Sequence, residues 1–184
     1  MGNVRVVAPG ALIAGITFAD EAVFETAVRK LTAEYGIVAL KSGIFDFTMT
    51  DYYTAEMGEN LKKCFYCFEQ PVRLETLAGI KLFTNAVEEE FTRINGDHPS
   101  RIVNIDPGYV TMSKLVLAST KDYSHRIYIG NGIYAEVTLR FFRGTFAPFD
   151  HTYPDYRTPL AITFFNEVRD FIKRNRYRWM QENE

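Results

Sequence analysis

Cysteine is scarce in this chain: 184 residues hold two, Cys64 and Cys67, spaced as Cys-Phe-Tyr-Cys. Two cysteines cannot build a disulfide framework, and a structural zinc would need two further ligands. Redox pairs of this spacing sit at a helix N-terminus, whereas Leu61 to Phe68 has the character of a strand, on which residues three apart point to opposite faces. The sequence therefore predicts two buried, unpaired thiols that behave as small apolar side chains. An excess of one charge is also lacking: 21 Lys and Arg against 23 Asp and Glu leave a formal −2, without the basic field that non-specific nucleic-acid binding needs. No apolar run approaches the roughly 18 residues of a membrane-spanning helix, and the N-terminus lacks the order of a signal peptide. Met1-Gly2 opens like a myristoylation signal, but Val6 stands where Ser or Thr is required. The expectation is a soluble, cytoplasmic protein with no membrane partner.

What the chain does have is a hydrophobic fraction of 47%, with 15 Phe and 11 Tyr, enough for a dense core. The length predicts a single α+β domain over residues 1–184. Leu12 to Phe18 reads as a strand, and Asp20 as the cap of a helix with the stripe Phe24, Ala27, Val28, Leu31 and Tyr35, stopped by Gly36. Ile37 to Phe47 reads as a second strand region broken near Ser42-Gly43. A polar loop over Asp51 to Gly58 leads to a third strand at about 60 to 68, ended by Pro71. A second helix is predicted over about 75 to 95, with Ile80, Phe83, Val87, Phe91 and Ile94 inward, Glu88, Glu89 and Glu90 near solvent and Gly96 as terminator. A fourth strand follows at Arg101 to Asp106. This strand, helix, strand, strand, helix, strand order predicts a ferredoxin-like split β-α-β core. Further strands at about 112–119 and 124–142 would extend the antiparallel sheet as a C-terminal hairpin. A last helix, capped at Thr158-Pro159, would cover one face with Ala161, Phe164, Phe165, Val168, Phe171 and Ile172.

Polar and aromatic groups concentrate in residues 101–159. A three-residue loop at Gly130-Asn131-Gly132 would set Ile129 against Ile133 and Ile127 against Ala135 on an apolar side, and Tyr128 against Tyr134 and Arg126 against Glu136 on the other. That polar side is either a solvated surface or one wall of a site shared with Asp106, Lys114, Lys121 and the Tyr153-Pro-Asp155-Tyr156 loop. Asn104 and Asp106 share a strand face, and Pro107-Gly108 would turn the chain sharply, so Asp106 is either a turn cap or a ligand. His125 is placed to act as a base, but no Ser or Cys nucleophile pairs with it. Around Pro148 and Pro154, the rings of Phe146, Phe149, Tyr153 and Tyr156 form either a lid or a connection pinned to the core.

Tyr52-Tyr53 with Glu56-Met57-Gly58, Asn104-Ile-Asp-Pro-Gly-Tyr109, Leu115-Val-Leu-Ala118 with Lys121, His125-Arg-Ile-Tyr128, Gly132-Ile-Tyr-Ala-Glu-Val-Thr-Leu139 and Thr152-Tyr-Pro-Asp-Tyr156 run in this order along the chain. In these segments the chain resembles, over nearly its whole length, the bacterial DUF4416 family of uncharacterised proteins, some of whose members carry the label GTP-binding protein. The resemblance brings no catalytic residue, substrate or cofactor with it. No Gly-x4-Gly-Lys-Ser/Thr element exists here; Thr120-Lys121-Asp122 lacks the spacer of Thr-Lys-x-Asp, and Asp106-Pro-Gly108 is one residue short of Asp-x-x-Gly, which argues against an ordinary G-protein mechanism and leaves nucleotide binding by another architecture open. The leading expectation is a binder of an anionic small molecule, a nucleotide or phosphate ester, held by Asp106, Lys114, Lys121, Arg126, Glu136, Tyr153, Asp155 and Tyr156. Any chemistry there would be metal-assisted hydrolysis or phosphoryl transfer rather than covalent catalysis. The alternative is an RNA-binding module using Tyr128, Tyr134 and the basic final helix with Arg169, Lys173 and Arg176, although the RNP signature is absent. A structural or partner-binding protein is the third class.

Overall fold

The computed structural model describes residues 2–3, 6–49, 54–95 and 98–182. Strand β1 (Gly10–Phe18) is buried along its whole length, as an unbroken apolar run requires of a strand covered on both faces. Asp20 caps helix α1 (Glu21–Tyr35), its carboxylate accepting from the N–H groups of Ala22 at 2.8 Å and Val23 at 3.0 Å, and Gly36 ends the helix at φ 83°. The broken second strand region becomes β2 (Val38–Lys41) and β3 (Phe45–Asp46). A short helix α2 (Thr54–Met57) replaces part of the predicted polar loop, of which Asp51, Tyr52 and Tyr53 lie outside the described residues. β4 (Lys62–Val72) does not stop at Pro71: a bulge against β1 between Ala11 and Ile13 lets the strand resume, with Pro71 opposite Ala11.

Helix α3 (Leu77–Glu89) ends earlier than predicted, and β5 (Thr92–Asn95) and β6 (His98–Arg101) follow as a separate two-stranded ribbon. Three successive glutamates at its end oppose the helix dipole, and the β-branched Thr92 and Ile94 favour extended backbone. Gly96, the expected terminator, lies outside the described residues. Then come β7 (Val103–Val110), β8 (Lys114–Ser119), β9 (Ile127–Gly130), β10 (Ile133–Phe142), β11 (Thr145–Pro148) and helix α4 (Pro159–Glu182). Thr158 caps α4, its Oγ1 accepting from the Ala161 N–H at 3.1 Å.

Among the described residues the main sheet runs β11-β10-β8-β7-β1-β4-β2, every adjacent pair antiparallel, with β3 on β4 and β9 on β10. On one face Leu12, Ile16, Phe18 and Ile105 meet Phe24, Leu31, Ile80 and Val87 of α1 and α3. On the other, Ile13, Phe65, Leu117 and Leu139 meet Phe164, Phe165, Val168 and Trp179 of α4. Each such large apolar side chain stabilises the fold by about 1.5–3 kcal/mol. Strand alternation sends Cys64 into the first core and Cys67 into the second, both buried and neither in a disulfide, and burial pushes the Cys67 thiol up to about 12. Among the described residues no helix is long and apolar enough to cross a membrane.

The β9–β10 hairpin keeps the expected pairs Tyr128–Tyr134 and Ile127–Ala135, but its turn is different. Asn131 (φ 53°) and Gly132 (φ 75°) form a two-residue turn that sets Gly130, not Ile129, opposite Ile133, and a bulge restores the register. The apolar side is buried only along β10, since β9 pairs with β10 alone and leaves Ile127 and Ile129 exposed. A second such turn at Arg143 (φ 50°) and Gly144 (φ 87°) makes the predicted loop at 142–159 begin as a hairpin with β11, and buries Phe146.

Candidate ligand-binding cleft

The sheet opens between β7 and β8. Their pairing runs from Val110–Leu115 to Gly108–Leu117 and stops there. A Cβ on Gly108 would run into the Val116 carbonyl, so glycine is what lets the strands meet. The Thr111 N–H donates to the Lys114 carbonyl at 2.8 Å, so odd-numbered β7 residues direct their backbone groups at β8. The next rung is only half made: the Gly108–Leu117 pairing puts the Ala118 N–H on the Pro107 carbonyl, but proline has no N–H to give in return. Further along, α3 takes the place of the missing strand: Glu88 Oε1 accepts from the Ile105 N–H at 2.7 Å, and Lys81 Nζ donates to the Ile105 carbonyl at 2.8 Å. Pro107-Gly108 is therefore not the sharp turn expected but the point inside a continuous strand where the ladder unzips.

The divergence leaves a cleft of about 550 Å³, walled by Lys81, Asn85 and Glu88 of α3 on one face and by Tyr153 to Tyr156 on the other. This is the size of a small-molecule site. On its floor Lys63, 2% exposed, reaches Asp155 Oδ2 at 2.7 Å and Asp106 Oδ2 at 3.3 Å, with its ammonium 4.8 Å from the Tyr156 ring centre and 5.4 Å from that of Phe47. Gly15 of β1 makes the room: a Cβ there would come within 2.7 Å of the Tyr156 hydroxyl and 3.1 Å of Lys63 Cε. Burial alone would lower the Lys63 pKa, but the Asp155 and Asp106 carboxylates outweigh it and hold the ammonium above its usual value. Burial would likewise raise Asp106, yet the cations of Lys63 and Lys81 outweigh it, so Asp106 lies below the usual carboxylate range and is ionised. Its side chain is 26% exposed, open to the cleft.

Arg101 and Arg126 frame the two ends. Arg101 grips Glu56 with both arms, at 2.7 and 2.9 Å, and reaches Glu88 Oε2 at 2.6 Å and Asn104 Oδ1 at 3.2 Å. Those hydrogen bonds hold Glu56 below, and Arg101 above, their ordinary values. Arg126 donates to Glu136 Oε2 at 2.8 Å and to Ser119 Oγ, the Lys121 carbonyl and the Tyr153 hydroxyl, each at 2.9 Å. Glu136 also meets His125 Nε2 at 3.1 Å and accepts from Thr138 Oγ1 at 3.2 Å. His125 is one ring of a stack, Tyr123–His125–His151–Phe149, whose closest centroids lie 4.3 Å apart.

Of the residues expected from the sequence, Asp106, Lys121, Arg126, Glu136, Tyr153, Asp155 and Tyr156 all line this cleft. Lys114 does not: it starts β8, and the cleft opens at that strand's other end. Arg126 and Glu136 face each other as expected, but their polar groups are engaged by the protein, which makes them the frame of the wall. The loop rings divide: Phe146 and Tyr156 are pinned in the core, while Tyr153 is exposed at the mouth. Glu88, expected near solvent, is 2% exposed. The sequence reading did not single out Lys63, Lys81, Glu88 or Arg101. Two patterns mark them: Lys63 shares a strand face with Phe65 and Cys67, and Lys81, Asn85 and Glu88 form a polar stripe at helical spacing.

No curated protein and no solved structure matches the chain. The family model described as Domain of unknown function (DUF4416) matches residues 8–171. From the first residues of the central sheet to well inside the last helix, the chain thus belongs to the DUF4416 family.

Proposed function

We propose that the cleft binds a nucleotide or another phosphate ester. The observation that carries this reading is that the sheet opens onto ionised groups of both signs, a costly arrangement for a fold to keep in its interior. A nucleotide has a use for each: hydroxyls that donate to the partly exposed Asp106 carboxylate, a phosphate attracted to Lys121, and a flat base that fits the exposed Tyr153 ring at the mouth. Among the described residues no three His, Cys, Asp or Glu side chains converge as metal ligands. The strand order β7-β1-β4-β2, joined through α1 and α3, supports reading the core as a ferredoxin-like split β-α-β unit in a single domain extended by β8, β10 and β11.

The RNA alternative has less support. Tyr128 and Tyr134 pack edge to face at 5.4 Å, and Arg169 donates to the Met112 carbonyl at 2.9 Å while lying 3.5 Å from the centre of the Phe141 ring. A thermal-shift screen of nucleotides and sugar phosphates, with and without Mg²⁺, tests the proposal. A ligand at 100 times its Kd adds about 2.7 kcal/mol to unfolding, so wild type should gain several degrees, and Lys121→Ala should gain clearly less. No shift with any of these ligands would favour a structural or partner-binding role.

A further inference from the structure

Four of the five cations that line the cleft are already held by carboxylates: Lys63 by Asp106 and Asp155, Lys81 by Glu88, Arg101 by Glu56 and Glu88, and Arg126 by Glu136. Lys121, the fifth, adds to the hold of Arg101 on ionised Glu56. The lining carries as many Asp and Glu as Lys and Arg, so its walls have no surplus of positive charge. Charge brought into such a part-enclosed site without a counter-ion is costly. Asp106 is the carboxylate turned to the cleft. Of the two that share Lys63, Asp155 takes the shorter contact and is buried, whereas Asp106 is partly exposed and ionised, with lone pairs to spare. Beside it on the same face of β7, Asn104 is 4% exposed. Arginine can only donate, so the contact with Arg101 fixes Asn104 Oδ1 on that side and leaves Nδ2 on the other, buried and without a hydrogen bond.

We propose that the cleft takes a ribonucleoside with no more than one phosphate, the ribose diol donating to Asp106; the inference rests on the nucleotide reading above and names the ligand class within it. With a base on Tyr153 at the mouth, the ribose is the part of the molecule that reaches the floor. Two adjacent hydroxyls suit the two oxygens of one carboxylate, because both donate to a charged acceptor. A hydroxyl seated there also gives Asn104 Nδ2 the acceptor it lacks. One phosphate goes to Lys121, and a second or third meets no further cation that is not already matched by a carboxylate. The charge balance of the walls is therefore a filter against di- and triphosphates.

Calorimetric titration of the full chain with the common ribonucleosides, their 5′-monophosphates and 5′-triphosphates, and the matching 2′-deoxy monophosphates, in metal-free buffer and again with Mg²⁺, tests this. For at least one base the ribonucleoside monophosphate should bind about tenfold or more tightly than its 2′-deoxy counterpart, the worth of roughly one hydrogen bond to a charged acceptor. The triphosphate of that base should bind no more tightly than the monophosphate in either buffer. In Asp106→Asn, which keeps a single acceptor oxygen, the ribo and 2′-deoxy affinities should converge; the wild-type comparison decides alone if that variant does not fold. A monophosphate bound equally with and without its 2′-hydroxyl, a ribo preference that survives unchanged in Asp106→Asn, or a triphosphate bound more tightly than the monophosphate overturns this inference and spares the nucleotide reading. Failure of every probe to bind overturns both.

Discussion

Lys63 stands among two carboxylates and three aromatic rings, so removing its charge leaves Asp106 and Asp155 without their shared counter-ion. Lys63→Met should lower stability near pH 7 by about 3–5 kcal/mol, the usual loss when one partner of a buried pair is removed. The pH dependence has a definite sign. Because the folded Lys63 value is raised, its stabilisation is complete below the ordinary lysine value of about 10.4 and is lost as pH climbs through the raised value. Because the folded Asp106 value is lowered, its stabilisation is complete above the ordinary value of about 3.9 and is lost as pH falls through the lowered one. Urea unfolding from pH 3 to 11 should show wild type weakening at both ends and Lys63→Met with a smaller alkaline loss, the remainder coming from the Cys67 thiol and the Tyr66 phenol that burial pushes up. A variant within about 1 kcal/mol of wild type at pH 7 would mean that the ammonium does not hold the two carboxylates. The role of Lys63 was hidden in the sequence by its apolar neighbours, which read as plain core; only the pairing of β4 with β1 puts it on the cleft side of the sheet.

Helix α3 carries the largest gap between sequence and structure at the level of elements. Its glutamates read alike, yet Glu88 is sealed against Arg101, Lys81 and the Ile105 N–H while Glu89 is exposed. Glu88→Ala should therefore cost about 3–5 kcal/mol in chemical unfolding, and Glu89→Ala no more than about 0.5 kcal/mol. Equal effects would remove the argument that α3 substitutes for a missing strand. Elements set by local chemistry were legible: the Asp20 cap, the Gly36 stop, the Thr158 cap and the inward stripe of α4 follow from nearest neighbours. The end of α3, the α2 turn and the two-residue hairpin turn were not, because each depends on a strand pair or a bulge whose partner is distant in sequence.

At the scale of the whole molecule, the described residues form a nine-stranded sheet with a break near its middle, covered by helices on both faces and opened at one proline. The residues that line the break run from Phe47 to Tyr156, and only the strand order gathers them. That is why the C-terminal half of the site could be read from a dense run of polar and aromatic residues, while its floor, from β4 and α3, could not. The most direct measurement is calorimetric titration of the nucleotide panel, with and without Mg²⁺, into wild type and Asp106→Asn. The account predicts saturable one-to-one binding to wild type and at least a roughly tenfold loss in the variant, about 1.4 kcal/mol, with its cooperative unfolding retained. No binding by wild type at millimolar ligand, or equal affinity in the two proteins, would contradict it.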